Sequence, residues 1–210
     1  MNADDQKSIP SPIPPASPDP DLFRNGRRKH IAATVTLLIF AVSVVGILIR
    51  GMTVDQSRIP SALLDKPANP FSVDWLQGKE LLDGAGNQIT LDSLRGKPLI
   101  LNFWASWCGS CRDEAANFER FWQQHKDEGV ALVGIAIQDT REDAMKFAKF
   151  FGKTYMLGLD TDGKASIDYG VYGVPETFFI DQKGIIRHKE AGPVDEKLLA
   201  TYLAVIKGTN

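Results

Sequence analysis

Apolar residues follow two different patterns along this 210-residue chain. Near the N-terminus, residues 31–49 carry no charge and are almost all apolar. As a helix, this run is about 28 Å long, close to the hydrocarbon thickness of about 30 Å in a typical membrane. After residue 70, apolar positions come instead in short runs and amphipathic stretches separated by turn residues. The pattern therefore predicts a membrane-spanning helix followed by one globular domain.

The apolar run has two other interpretations, a cleaved signal peptide and the core helix of a globular protein. The run is long for the apolar part of a signal peptide, and no cleavage site of small residues follows it. A core helix would have a polar face, whereas the polar groups here are small hydroxyls at Thr34, Thr36 and Ser43. We therefore expect residues 27–50 to form a transmembrane signal anchor.

Charges beside the anchor predict its orientation. Arg27, Arg28 and Lys29 precede the apolar run, and basic residues beside a spanning helix stay on the cytoplasmic side. Residues 1–26 are rich in proline and poor in apolar mass, so we expect a disordered cytoplasmic tail. Residues 51–70, with several prolines, are expected to be a linker. The globular domain would then lie outside the cytoplasm, in the periplasm of a bacterium with an inner membrane.

In the globular domain, placed at residues 71–207, strands alternate with helices. The segments expected to form strands are 71–75, 88–91, 98–103, 130–137, 176–180 and 185–189, and those expected to form helices are 109–126, 140–151 and a last stretch around 198–206. Strands and helices in this order indicate an α/β fold, a mixed sheet flanked by helices.

Cysteine usage points to redox chemistry. The chain has two cysteines, Cys108 and Cys111, so no disulfide framework can staple the fold. They lie between a buried strand and a helix, and the free N–H groups at a helix N-terminus favour a thiolate. The pattern predicts thiol–disulfide exchange, in which Cys108 attacks and Cys111 resolves the mixed disulfide.

The net charge of −2 gives no reason to expect a nucleic-acid partner.

Other uses of the cysteine pair are less compatible with the sequence. Covalent haem attachment needs a C-x-x-C-H motif, and Arg112 follows the pair here. A closed zinc site needs four ligands, and the chain offers two thiols and three histidines. No cofactor or metal is therefore expected, although a Cu(I) chaperone using the two thiolates, with His188 as a third ligand, stays open as an alternative.

Two motifs, Asn102–Cys111 and Tyr169–Asp181, resemble the membrane-anchored thioredoxin-like proteins of the TlpA/ResA/CcmG (DsbE) group, and Leu94–Pro98 is also typical of it. The resemblance implies a thioredoxin-like fold and an extracytoplasmic dithiol reductant. It further implies, as substrate, apocytochrome c or another exported protein disulfide, and a membrane electron donor that recharges the thiols. The reverse direction, a disulfide donor to secreted proteins, is the alternative within the same chemistry.

The resemblance also implies roles for residues around the thiols. Pro175 is expected to be cis and to lie beside the sulfurs, so that the backbone of Val174 can pair with an extended substrate. Trp107 is expected to shield the sulfurs and contact substrate. Asp139 and Glu142 follow the strand at 130–137, where some members of the group carry acids that determine specificity. We expect these two residues instead to belong to a solvated loop.

Glu114 is the candidate proton carrier. The resemblance implies a partly buried acid at this position, and burial would raise the pKa of its carboxyl group. The alternative is a glutamate in the first helical turn that is favoured only by the helix dipole. Three positions depart from the family pattern: Asn102 replaces the buried acid of ordinary thioredoxins, Ala116 replaces a helix proline, and Gly-Ser separates the cysteines. The first departure leaves Glu114 or water to move the proton.

Overall fold

The computed structural model describes residues 20–52 and 62–208 of the chain. They belong to two units, a long N-terminal helix and a globular domain. The helix α1 runs from Pro20 to Met52. Its stretch Thr34–Gly51 has a mean hydropathy of 2.2 and, among the described residues, forms the one helix long and apolar enough to cross a membrane.

Helix α1 begins earlier than the expected boundary at residue 27. Pro20 is the last proline of the tail, and the next proline along the chain is Pro60. A proline in the first helical turn costs little, because the N–H groups of that turn have no partner within the helix. Residues 20–26 are therefore helical, which corrects the expectation of a disordered tail for that part. The remainder of the expected tail lies outside the described residues.

The expected linker also needs correction, because its second half packs onto the globular domain. The N–H of Asp65 donates to the carbonyl of Ile186 at 2.8 Å. Pro67 forms an isolated β-bridge with Ile185, and Ala68 is buried. Proline suits such an edge position, where no N–H is needed for a further strand. The described part of the domain thus begins at residue 62 rather than at 71, while residues 53–61 lie outside the described part of the chain.

The domain is built on a seven-stranded mixed sheet with the strand order β2-β1-β5-β4-β3-β6-β7. The strands β3, β4 and β5 run parallel, and the other pairs are antiparallel. The strands are β1 (Ser72–Gln77), β2 (Gln88–Thr90), β3 (Leu99–Trp104), β4 (Ala131–Ile137), β5 (Met156–Asp160), β6 (Glu176–Ile180) and β7 (Ile186–Ala191). The helices are α2 (Gly109–His125), α3 (Arg141–Phe150), α4 (Lys164–Asp168) and α5 (Glu196–Lys207).

The predicted strands and helices are confirmed to within a few residues, and two elements were missed. Strand β5 is five residues long and contains Gly158, which weakens its apolar signal. That glycine is required by packing, since a Cβ there would lie 2.5 Å from Cγ2 of Val73 on β1. Helix α4 is also five residues long, too short to show helical periodicity.

Strand β3 carries the site because all six of its residues are buried. Successive side chains of a strand point to opposite faces. Leu99, Leu101 and Phe103 join the core on one face of the sheet. Ile100 and Trp104 join the other core, which also contains both cysteines, and Asn102 lies between them on that face. The alternation therefore places Asn102 and Trp104 on the same side as the redox pair.

Gly134 on β4 offers a test of this packing. A Cβ added there would lie 2.8 Å from Cδ2 of Leu157, 3.0 Å from Nε1 of Trp104 and 3.2 Å from Cε2 of Tyr155. We expect Gly134→Ala to lower the free energy of unfolding by about 1–3 kcal/mol, because rigid side chains surround the new methyl group. Urea unfolding followed by tryptophan fluorescence measures the change. Gly86→Ala, where no atom lies within 4 Å of the new Cβ, is the matched control; equal stability of the two variants would contradict the expectation.

Candidate active site

The cysteine pair lies at the N-terminus of α2, just after the turn that connects β3 to this helix. Cys108 is the N-cap of α2, and its Sγ accepts a hydrogen bond of 3.0 Å from the N–H of Cys111. The two sulfurs form a disulfide. Cys108 is 6% exposed and Cys111 only 1%. An incoming partner therefore reaches Cys108 first, and this sulfur is also the one that the N–H groups and dipole of the helix favour as an anion.

Asp139 holds the turn before the cysteines. Its carboxylate accepts hydrogen bonds from the N–H of Ser106 at 2.6 Å and from the Ser106 hydroxyl at 2.9 Å. It also accepts a 2.9 Å bond from the N–H of Thr140, the N-cap of α3. The expectation of a solvated loop was thus wrong for Asp139. The usable signal was its place after β4, because the carboxyl ends of adjacent parallel strands meet at one edge of a sheet. Glu142, by contrast, is exposed and pairs with Lys146.

The segment before β6 lies against the redox pair. The Val174–Pro175 peptide bond is cis, as predicted. The carbonyl oxygen of Val174 is 3.4 Å from Sγ of Cys108. Trp107 and Tyr172 are 59% and 73% exposed. The indole N–H of Trp107 donates to the carbonyl of Gln138 at 2.9 Å, so its ring is held in place while its surface faces solvent.

Glu114 is buried behind the cysteines, in agreement with the expectation of a buried acid. It is 2% exposed and lies one helical turn after Cys111. The amide of Asn102 donates to its Oε1 at 3.0 Å, and the N–H of Val194 donates to its Oε2 at 3.1 Å. Burial raises the pKa of Glu114 to about 7, against the opposing effects of these two hydrogen bonds and of the charge of Lys153.

Asn102 therefore has a definite place in the site although it cannot ionise. Its amide nitrogen donates both to Glu114 and to the Thr177 hydroxyl, the latter at 3.1 Å. These bonds join β3, α2 and β6 behind the sulfurs. In this chain the buried acid stands on the helix, and the strand supplies a neutral donor to it.

Lys153 is a residue that the sequence analysis missed. It follows the left-handed Gly152 after α3 and is only 6% exposed. Its Nζ lies 4.0 Å from the ring centroid of Trp104 and 5.1 Å from that of Phe147. Burial lowers its pKa to about 7, against the opposing charges of Glu114 and Glu119. A lysine just after a helix normally indicates a solvated end, so its sequence position gave no sign of burial.

The side chain of His188 contacts Tyr202 and Glu190 rather than the two cysteines. Its ring stacks on Tyr202 with the centroids 3.7 Å apart, and its Nε2 is 3.1 Å from a carboxylate oxygen of Glu190. Within residues 20–52 and 62–208, no group of three or more histidine, cysteine or acidic side chains is arranged to hold a metal ion.

Comparison with known proteins gives a consistent result. The family model AhpC/TSA matches residues 65–189 of the chain. The thiol:disulfide interchange protein DsbE of Allochromatium vinosum is 41% identical over 181 residues, covering 83% of this chain and 91% of that protein. The DsbE protein of Pseudomonas aeruginosa is 38% identical over 179 residues, covering 84% of this chain and 92% of that protein.

The fold comparison agrees with the sequence comparison. A crystal structure described as a thiol:disulfide interchange protein DsbE from Chlorobium tepidum superposes with a TM-score of 0.59 at 28% identity. The match covers 68% of this chain and 98% of that structure. The thioredoxin-like fold that the motifs implied is thereby confirmed.

The buried Glu114 makes stability depend on pH in a predictable direction. Its pKa rises from 4.5 to about 7 on folding, so between these values the folded protein binds more protons than the unfolded chain. The free energy of unfolding should therefore fall, by about 2 kcal/mol between about pH 5 and about pH 7, and Glu114→Gln should remove this fall. Urea titrations followed by fluorescence test this, because all four tryptophans lie in the globular domain.

The exposed Glu142 supplies the control for this experiment. Glu142→Gln should follow the wild-type pH dependence, because the Glu142 side chain is 77% exposed. A Glu114→Gln protein that still loses the same stability over this range would show that another group is responsible.

Proposed function

Because this chain belongs to the AhpC/TSA family and, within it, to the DsbE-like thiol:disulfide interchange proteins, we propose that it is a membrane-anchored dithiol reductant of exported protein disulfides, with apocytochrome c as its main substrate. The observation that carries the proposal is the position of Cys108. Its sulfur caps helix α2, is the more exposed of the pair and lies 3.4 Å from the Val174 carbonyl.

In the first step, the Cys108 thiolate attacks one sulfur of the substrate disulfide. A new bond forms between Cys108 and that sulfur, while the substrate S–S bond breaks and its other sulfur leaves as a thiolate that takes up a proton. The N–H of Cys111, 3.0 Å from Sγ of Cys108, stabilises the attacking anion. The result is a mixed disulfide between the two proteins.

In the second step, Cys111 resolves the mixed disulfide. Its thiol gives a proton to the Glu114 carboxylate, and the resulting thiolate attacks Sγ of Cys108. The bond between Cys108 and the substrate breaks, and the second substrate sulfur leaves with a proton. Two electrons have then moved to the substrate, and the Cys108–Cys111 disulfide must be reduced by a dithiol donor in the membrane.

Substrate binding would rely on the segment before β6. An extended substrate can donate a backbone N–H to the Val174 carbonyl, in the manner of an added strand beside Pro175. The exposed face of Trp107 supplies an apolar surface next to the cysteines. Backbone pairing of this kind suits an unfolded substrate, such as the C-x-x-C-H segment of an apocytochrome before haem attachment.

We expect a Cys111→Ala variant to trap its partners, because Cys108 can still attack but no thiol can resolve the mixed disulfide. Expressed in cells that make c-type cytochromes, it should form adducts that a reducing agent dissolves. Mass spectrometry of these adducts should identify polypeptides with a C-x-x-C-H motif. Cys108→Ala is the matched control and should form at least about tenfold fewer adducts, since only the buried sulfur remains. Adducts without any C-x-x-C-H polypeptide would contradict the apocytochrome assignment.

The location follows from α1 and its basic flank. We place α1 across the cell membrane with its N-terminal end in the cytoplasm, so that the globular domain works in the periplasm or outside the cell membrane. A periplasm-dependent reporter such as alkaline phosphatase, fused after Asn210, should be active. The same reporter inserted after Gly26 of the full-length chain, ahead of the intact anchor, should be inactive. The opposite result for the two fusions would invert the orientation.

A further inference from the structure

Lys153 is an unusual residue in this structure. Lysine is rarely buried without a partner, because removing its charge from water is costly. Here the ammonium group lies over the Trp104 ring at 4.0 Å, with the rings of Phe147 and Tyr155 at 5.1 and 5.5 Å. Among the residues that the structure describes, Lys153 takes part in no ion pair. The aromatic faces stabilise the cation but do not hold it in a fixed salt bridge.

The ionisable groups around Lys153 come from helix α2 and from the segment before β5. Helix α2 contributes Glu114 and Glu119, whose negative charges partly oppose the lowering of the Lys153 pKa by burial. Glu119 is occupied, accepting 2.8 Å hydrogen bonds from the N–H and the hydroxyl of Thr154. Tyr155, just before β5, is buried with a hydroxyl that has no hydrogen-bond partner among the described residues, and burial raises its pKa well above 10.0. From the outer side, the Arg112 guanidinium lies 5.7 Å from the Phe147 ring centroid.

Of these groups, Glu114 is the one that also belongs to the redox site. It lies one turn after Cys111 on α2, and it is the fully buried acid of the set. Trp104 connects the two regions, since it packs in the same core as both cysteines and carries the Lys153 ammonium on its ring.

We propose that Lys153 is a positioning residue that keeps the Glu114 carboxyl group ionised, and thereby able to accept the proton of Cys111, when the protein reduces a disulfide. This inference rests on the proposed function in one respect, namely that Glu114 is the acceptor of that proton. Lys153 itself touches neither the substrate nor the reacting sulfurs.

The physical argument concerns a buried acid with and without a nearby cation. Alone, a carboxyl group at the burial of Glu114 keeps its proton in the neutral range and is no acceptor. A cation in the same region of low dielectric constant stabilises the carboxylate. Burial raises the pKa of Glu114 to about 7 and lowers the pKa of Lys153 to about 7. The pair can therefore take up or release a proton near neutral pH.

The proton balance of the resolving step uses this property. The Cys111 thiol passes its proton to the Glu114 carboxylate and becomes the attacking thiolate. The substrate sulfur displaced from Cys108 leaves as a thiolate and takes up one proton, which Glu114 can return through solvent. Glu114 is then a carboxylate again beside the Lys153 ammonium, and the next turnover begins once the dithiol donor has reduced the Cys108–Cys111 disulfide.

The first experiment measures the Glu114 proton directly. Full-length protein with ¹³C-labelled glutamate side chains, held in detergent micelles, is titrated by NMR, and Glu114→Gln identifies the Glu114 signal. In Lys153→Met the pKa of Glu114 should rise by about one unit or more, because the stabilising cation is gone. Lys149→Met, an exposed lysine on α3, should leave it unchanged. An unchanged Glu114 titration in Lys153→Met overturns the proposal.

The second experiment follows the resolving step itself. Reduced protein is mixed with a disulfide-linked peptide, and decay of the mixed disulfide is timed across pH. Lys153→Met should move the profile to higher pH by the same amount as the Glu114 titration, slowing decay at neutral pH about tenfold. In a Glu114→Gln background the same substitution should have no further effect. A further slowing there overturns the proposal, because Lys153 would then act on the sulfurs or on the packing.

Lys153→Gln, which keeps a polar group in place of the ammonium, repeats both measurements with a different side chain. It should behave as Lys153→Met does, and a wild-type profile in it overturns the proposal. A wild-type protein that reduces no disulfide overturns the proposed function, which is visible without any Lys153 variant. An active wild type whose resolving step is insensitive to Lys153→Met overturns the role of Lys153 alone.

Discussion

The packing of β3 against α2 is the constraint on which the rest of the site depends. The strand is buried on both faces, so its alternating side chains have fixed neighbours above and below the sheet. One face holds an ordinary apolar core. The other face presents Asn102 and Trp104 to the helix that begins with the two cysteines. The redox turn is therefore a product of core packing, and its position changes only if the central strand moves.

That second face contains polar groups which an apolar core would not need. Glu114, Asn102 and Lys153 are all buried, and burial of each costs free energy unless a partner compensates for it. The hydrogen bonds from Asn102 and Val194 compensate the carboxyl group, and aromatic rings compensate the ammonium group. Proteins commonly accept such a cost where chemistry requires it. Here the cost is concentrated around the redox pair, where the proposed mechanism moves a proton with each disulfide exchange.

The parts of the molecule that could be predicted from sequence are those with a local signal. β3 is a continuous apolar run, α2 begins at the cysteine pair, and Pro175 stands within a motif whose resemblance implied its cis bond. Lys153 had no such signal, because its burial results from the left-handed Gly152, which follows α3 and turns the chain under Trp104. Strand β5 was missed because Gly158 interrupts its apolar pattern. A glycine is needed there because a Cβ would clash with Val73 on β1. The packing of Asp65 and Pro67 depends on β7, more than a hundred residues later, which no local pattern contains.

The way Trp107 is held has a consequence for selectivity. The single polar group of its side chain, the indole N–H, already donates to the Gln138 carbonyl. The exposed ring therefore presents a flat, apolar face to a binding partner, with no unpaired hydrogen-bond donor. Binding to such a surface depends on the apolar area that is buried and does not require a particular side chain on the partner. Under the proposed function, the electron donor and the substrate would bind next to the same sulfurs in turn, and they would not need to share a sequence. Shape complementarity to the Trp107 ring and main-chain pairing with Val174 would be sufficient for both proteins to bind beside Cys108.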